Sequence, residues 1–144
     1  MRALSIGSAM IDTIVLVASR NIERMTMAND AVSYLLLEQG RKVEAESISE
    51  HIGGGAVNAG VAMARLGADA SVILKLGRDR KAEKIRERLD AEGIDQSLIR
   101  ETDVDETGAA VMITSHDRNA PIFTKRGANT LLEDADAAAS VFAG

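Results

Sequence analysis

Two groups of residues have the types and spacing to do chemistry. Ile52-Gly53-Gly54-Gly55-Ala56-Val57-Asn58-Ala59-Gly60 sets three successive glycines directly before a helical pattern, and Gly7-Ser8-Ala9-Met10-Ile11-Asp12 sets a carboxylate a few residues beyond a short apolar run. Glycines let a backbone approach a ligand closely, the first turn of a helix offers N–H groups and a partial positive charge, and the Asn58 amide is both donor and acceptor. That combination suits hydroxyls or an anion. Glycines serve equally for close packing of a helix on a strand, and the residues alone leave both readings open. In an open α/β sheet, ligands sit beyond the carboxyl ends of the strands, which places Asp12 to accept hydrogen bonds from substrate hydroxyls. The commoner use of a lone Asp beside a glycine is an Asx turn or a helix cap.

Several other chemistries lack their residues. There is no cysteine, which removes disulfides, thiolate catalysis and thiolate zinc sites. His51 and His116 have no partner at metal-ligand spacing, so both are expected at the surface and no metal site is expected. The glycines are not followed by Gly-Lys-Ser/Thr, and they follow a hairpin pattern instead of the first strand, so neither a phosphate-binding Walker loop nor a dinucleotide fingerprint is present. A Gly-x-Ser-x-Gly elbow is missing as well. With 17 Lys and Arg against 22 Asp and Glu, a net charge of -5 and only 2% aromatics, the chain opposes a nucleic-acid partner. The apolar stretch Ala3 to Ala18 carries Asp12 and is broken by Gly7 and Ser8, against a signal peptide, and no other stretch reaches membrane-span length. A cytoplasmic chain with no membrane partner is expected.

The elements that must position these residues follow from composition and pattern. A chain of 144 residues with 46% hydrophobic residues is one domain with a core of Ala, Val, Ile, Leu and Met. Arg2 to Ile6 reads as a buried strand ending at Gly7, and Ile14 to Val17 as a second β-branched run. Ser19 to Asn29 reads as a loop or short helical turn. Tyr34 to Leu37 and Lys42 to Ile48 flank Glu38-Gln39-Gly40-Arg41 as a hairpin with one solvated face. A helix then runs from the glycines to Gly67, Ala70 to Leu76 is a strand covered on both faces, and Asp79 caps a helix over Arg80 to Ala91 that Gly93 closes. Ala109 to Thr114 and Ile122 to Lys125 form a hairpin across Ser115 to Pro121, with His116, Asp117, Arg118 and Asn119 in its loop. Leu131 to Phe142 reads as an Ala-rich helix with Glu133, Asp134 and Asp136 at its positive end. Strand alternating with helix predicts an α/β fold: a parallel sheet with crossover helices, Rossmann-like and incomplete at two or three strands.

Taken in order, Gly7 to Asp12, Gly53 to Asn58, Ala64-Arg65-Leu66-Gly67, Leu76-Gly77-Arg78-Asp79, Ala91-Glu92-Gly93-Ile94-Asp95, Glu106-Thr107-Gly108-Ala109-Ala110 and Arg126-Gly127-Ala128-Asn129 resemble the PfkB, or ribokinase-like, family of carbohydrate and nucleoside kinases. The resemblance implies a ribokinase-like α/β fold with a small β-sheet lid, residues 1–144 being the N-terminal part of the kinase domain and about 14–17, 34–48 and 109–126 the lid. It implies transfer of the γ-phosphoryl group of ATP to a hydroxyl of a sugar or nucleoside, with Mg²⁺. Asp12, Gly53, Gly54 and Asn58 match the family's sugar-hydroxyl contacts, and Ala110 would line the lid face over the ring. Lids of this kind often pair two subunits, which implies a homodimer. The family's second signature, Asp-Thr-x-Gly-Ala-Gly-Asp, with its base and anion hole, does not occur in these 144 residues. No catalytic residue is therefore expected here, and the stretch is expected to be inactive alone. Two further departures are Arg78, where many relatives carry an acid, and a longer stretch from Ser19 to Tyr34. The rival expectation is a non-catalytic module that binds a sugar or dimerises through the lid.

Overall fold

The structure, a computed structural model, describes residues 1–21, 23–26, 33–115 and 120–137. In chain order the strands are β1 (Arg2–Ile6), β2 (Met10–Val17), β3 (Glu23–Thr26), β4 (Ser33–Leu36), β5 (Ala45–Gly53), β6 (Asp69–Ile73), β7 (Lys75–Gly77), β8 (Arg100–Thr102), β9 (Gly108–Thr114) and β10 (Ile122–Lys125). Helix α1 (Gly55–Arg65) lies between β5 and β6, and α2 (Arg80–Ala91) between β7 and β8. The chain forms two compact units, one from Met1–Asp12, His51–Ala110 and the chain from Thr124, the other from Thr13–Glu50 and Val111–Phe123.

The first unit holds the core. β1 and β6 pair in parallel, Arg2 opposite Asp69 through Ile6 opposite Ile73, and β7 pairs in parallel with β8. Parallel strands need cover on both faces, and Val57 of α1 and Ala82, Ile85 and Leu89 of α2 join Val72, Leu74 and Leu76 in one buried cluster. Helix α1 lies close because Gly60 has no side chain: a Cβ there would come 2.9 Å from Val72 Cγ1. The buried Ser5 hydroxyl donates to the Ala56 carbonyl at 2.8 Å and ties β1 to the same helix.

Both helix ends are built as the residue types predict. Asp79 Oδ1 accepts the Ala82 N–H at 2.9 Å as the α2 cap. Beyond α2, Gly93 takes φ +68, its N–H reaches the Asp90 carbonyl and the Ile94 N–H reaches Leu89. Gly67, at φ +86, ends α1 in the same left-handed manner, with Gly67 N–H on Ala64 and Ala68 N–H on Met63.

Four expectations are corrected. Residues 34–37 and 42–48 do not form a hairpin: β4 pairs antiparallel with β3, Glu23 opposite Leu36 through Thr26 opposite Ser33, and β5 joins the sheet ordered β10-β9-β2-β5. Alternation along 42–48 reveals a solvated face but no pairing partner. Part of the stretch read as a loop, Glu23–Thr26, is β3; Met25 there is 45% exposed, so no burial pattern marks it. The 70–76 run divides at Leu74, whose carbonyl accepts the Arg100 N–H at 2.9 Å, because β6 pairs with β1 and β7 with β8. Where the expected helix begins, the chain instead forms two 3₁₀ turns, Gly127–Leu131 and Asp134–Ala137; Asp136 accepts the Glu133 N–H at 3.0 Å and pairs with Lys75 at 3.0 Å, a local bond that competes with helix. The rest of that expected helix, and the loop residues His116 to Asn119, lie outside the described residues. Among the described residues, no helix is long and apolar enough to cross a membrane.

Candidate functional site

β2 and β5 are neighbours in their sheet, which brings Asp12 of β2 against Gly53 at the end of β5. A Cβ at Gly53 would run into the Asp12 carboxylate, so only glycine lets that carboxylate pack against the backbone there. Asp12 is not in an Asx turn; it is partly buried within the strand. Burial raises its pKa above the usual 3.8, and the charge of His51 pulls part of the way back. His51 is exposed, as expected, and stands two residues before Gly53 in β5. Successive residues of a strand alternate faces, so His51 shares the face that looks on Asp12.

The glycine turn itself packs tightly. Gly54 takes φ +101, and a Cβ there would come 2.7 Å from the Ala9 Cα. Ser8 takes two of the first N–H groups of α1: its hydroxyl accepts from Gly55 at 3.1 Å and its carbonyl from Ala56 at 3.1 Å. The close-packing reading of the glycines has its place in the turn: Gly54 approaches the backbone of Ser8 and Ala9, and Gly53 the carboxylate of Asp12. The Gly55 and Ala56 donors are occupied, which weakens the turn as an anion cradle.

The remaining sequence-predicted residues lie on α1 and β9. Asn58 sits in the first turn of α1, exposed, with its backbone N–H on the Gly54 carbonyl at 3.0 Å. Ala110 lies on β9 and is buried at 7% exposure. Among the described residues no three His, Asp or Glu side chains cluster to hold a metal.

Sequence reasoning passed over Ser8 and Asn129 as site residues. Asn129 Oδ1 accepts the Ala9 N–H at 2.8 Å, and its Nδ2 donates to the Ala9 carbonyl at 2.9 Å and to the Arg126 carbonyl at 2.7 Å. Its contact spans 120 residues of sequence, so local pattern holds no sign of it. The only signal was its place in the Gly127-Ala128-Asn129 run.

A family model described as pfkB family carbohydrate kinase matches residues 2–142. The chain is 25% identical over 135 residues to a bifunctional ribokinase/ribose-5-phosphate isomerase A of Fructilactobacillus sanfranciscensis, covering 94% of this chain and 22% of that protein. Among solved structures, it resembles a ribokinase of Giardia lamblia with a TM-score of 0.76 at 19% identity, over 94% of this chain and 39% of that one. It also resembles a ribokinase of Arabidopsis thaliana complexed with ribose and ATP, with a TM-score of 0.71 at 24% identity, over 89% and 36%. The fold is that of the ribokinase-like kinases in part: the chain spans well under half of these relatives.

Proposed function

Because the chain belongs to the pfkB family of carbohydrate kinases, we propose that it is the substrate-binding N-terminal portion of an ATP-dependent sugar or nucleoside kinase. Such an enzyme moves the γ-phosphoryl group of ATP onto a substrate hydroxyl. The observation that carries this reading is the partly buried Asp12 carboxylate packed directly against the backbone of Gly53, at the glycine-rich start of α1. A partly desolvated carboxylate accepts hydrogen bonds from hydroxyls strongly, and charge-assisted bonds of this kind fix orientation. Gly54 holds the backbone that frames the site, and Asn58 adds an amide at the start of α1. Segments 14–17, 34–48 and 109–126 serve as the lid, with Ala110 facing the ring. The protein is cytoplasmic and pairs through that lid.

ATP and Mg²⁺ supply the transferred group and its charge neutralisation in the complete enzyme. The residues described here bind and orient the acceptor. The proton-accepting base and the anion hole belong to residues beyond these 144, which contain no Asp-Thr-x-Gly-Ala-Gly-Asp. The alternative reading is a sugar-binding or dimerising module without chemistry.

The test is calorimetric titration of the purified chain with D-ribose, D-fructose and inosine, alongside turnover of Mg-ATP. Binding of at least one of them, lost in Asp12→Asn, with no turnover above a denatured control, is the expected result. Turnover by the 144 residues alone would overturn the assignment of catalysis elsewhere, and failure to bind any of the three would overturn the binding role. Joining the chain to the C-terminal part of a relative separates the two readings: turnover appears for a kinase portion and not for a non-catalytic module.

A further inference from the structure

We infer that Asn129 is a positioning residue for the Asp12 and glycine-turn cradle, acting through the backbone of Ala9. The inference rests on the binding role given above to Asp12 and Gly54. Ala9 is fully buried, stands three residues before Asp12, and supplies with Ser8 the surface on which Gly54 rests. The Asn129 amide grips both polar groups of Ala9, its oxygen taking the N–H at 2.8 Å and its nitrogen holding the carbonyl at 2.9 Å. A side chain that pairs with a residue's donor and acceptor at once fixes that residue's rotation as well as its position, as one more strand would.

The clamp is itself held. Its nitrogen is shared with the Arg126 carbonyl at 2.7 Å, and the Ala128 N–H donates to the Glu106 carbonyl at 2.7 Å. Gly127 makes that turn possible with φ +54. Gly108 completes it: a Cβ there would run into Asn129 Nδ2 and approach the Arg126 carbonyl to 2.8 Å. Two positions far apart in sequence thus have one purpose, Asn129 to hold Ala9 and Gly108 to leave room for the hand that holds it. Loss of the clamp frees the peptide against which Gly54 packs, and the cradle loses its preorganisation.

The experiment compares amide hydrogen exchange and D-ribose affinity in the wild-type chain and Asn129→Ala. Exchange at Ala9 and at Ala56, whose N–H is bonded to Ser8, is expected to speed up about tenfold or more while Ile85 in α2 keeps its rate, and affinity is expected to fall about tenfold. If Asn129→Ala does not fold, Asn129→Asp retains the acceptor for Ala9 N–H and removes the donor, and Gly108→Ala leaves the amide intact but displaces it. Both are expected to act in the same direction, and Asn129→Asp combined with Gly108→Ala should weaken affinity no further than the worse single change. Unchanged exchange at Ala56, or exchange that rises equally at Ile85 with affinity intact, would overturn the positioning role. A wild-type chain that binds neither D-ribose nor inosine would instead count against the substrate role of Asp12, with the exchange data still deciding the clamp.

Discussion

Burial holds the Asp12 carboxyl above the ordinary value for an aspartate, and His51 offsets only part of that. A carboxylate whose folded pKa is raised leaves stability intact at low pH and removes it as pH rises through the folded value. Asp12→Asn is therefore expected to raise the melting temperature at pH 7 while weakening D-ribose binding by about 10- to 100-fold, the range for a lost charge-assisted hydrogen bond. Ribose affinity of the wild type should fall as pH drops through that raised pKa, because the protonated acid accepts more weakly. Asp79 is the opposite case. Burial alone would raise its pKa, but bonds from the Ala82 and Thr107 N–H groups, the Thr107 hydroxyl and the charge of Lys81 outweigh it and hold the carboxyl below 3.8. Its stabilisation is present above the unfolded value and is lost as pH falls through the folded one. Asp79→Ala removes the α2 cap and leaves the Thr107 N–H, bonded at 2.8 Å, unpaired; urea denaturation at pH 7 should show a loss of about 2–4 kcal/mol. The capping role of Asp79 was legible because its partner is three residues away, whereas the Thr107 bond crosses 28 residues and was not.

At the scale of elements, helices α1 and α2 were the most legible. Capping and left-handed glycine stops are decided within a few residues, so α2 at Arg80–Ala91 appears in the structure with the bounds read from the sequence. Strand partners are not local, and the hairpin assigned across Gly40 was wrong because β4 finds β3 and β5 finds β2. The placement of α1 on β1 and β6 rests on Gly60, where a side chain would meet Val72 Cγ1 and, at 3.3 Å, Ser5 Oγ. Gly60→Leu is expected to cost about 2 kcal/mol or more through overpacking, despite leucine's better helix propensity. Thermal unfolding of that variant measures the balance, and a rise in stability would show that the helix can withdraw without loss.

For the molecule as a whole, the two units differ in how much they bury. The buried cluster that includes Val72, Leu74, Leu76, Ile85 and Leu89 belongs entirely to the first, while Met25, Tyr34 and Leu36 of the β3–β4 pair are each 45% exposed. Amides of β3 and β4 are accordingly expected to exchange orders of magnitude faster than those of β6 and α2, since exchange protection follows buried apolar contact. Mass-resolved hydrogen exchange of the intact chain checks this, and equal protection in the two units would show that they unfold together. Family membership was legible at this scale even though no single motif was decisive, because seven short runs in fixed order constrain a fold far more than any one of them.

By itself the sequence determined helices α1 and α2, their glycine stops and the Asp79 cap, the alternation that implies a parallel sheet, and the residue types able to meet a hydroxyl. Those depend on interactions within one or two turns of chain, where residue type and spacing are sufficient. Tertiary structure alone decided that the Asp12 carboxylate packs against Gly53, that Ser8 occupies the first donors of α1, and that Asn129 grips Ala9 across 120 residues. Each is a close approach between segments remote in the chain, and steric fit between such segments exists only once both have been folded into place.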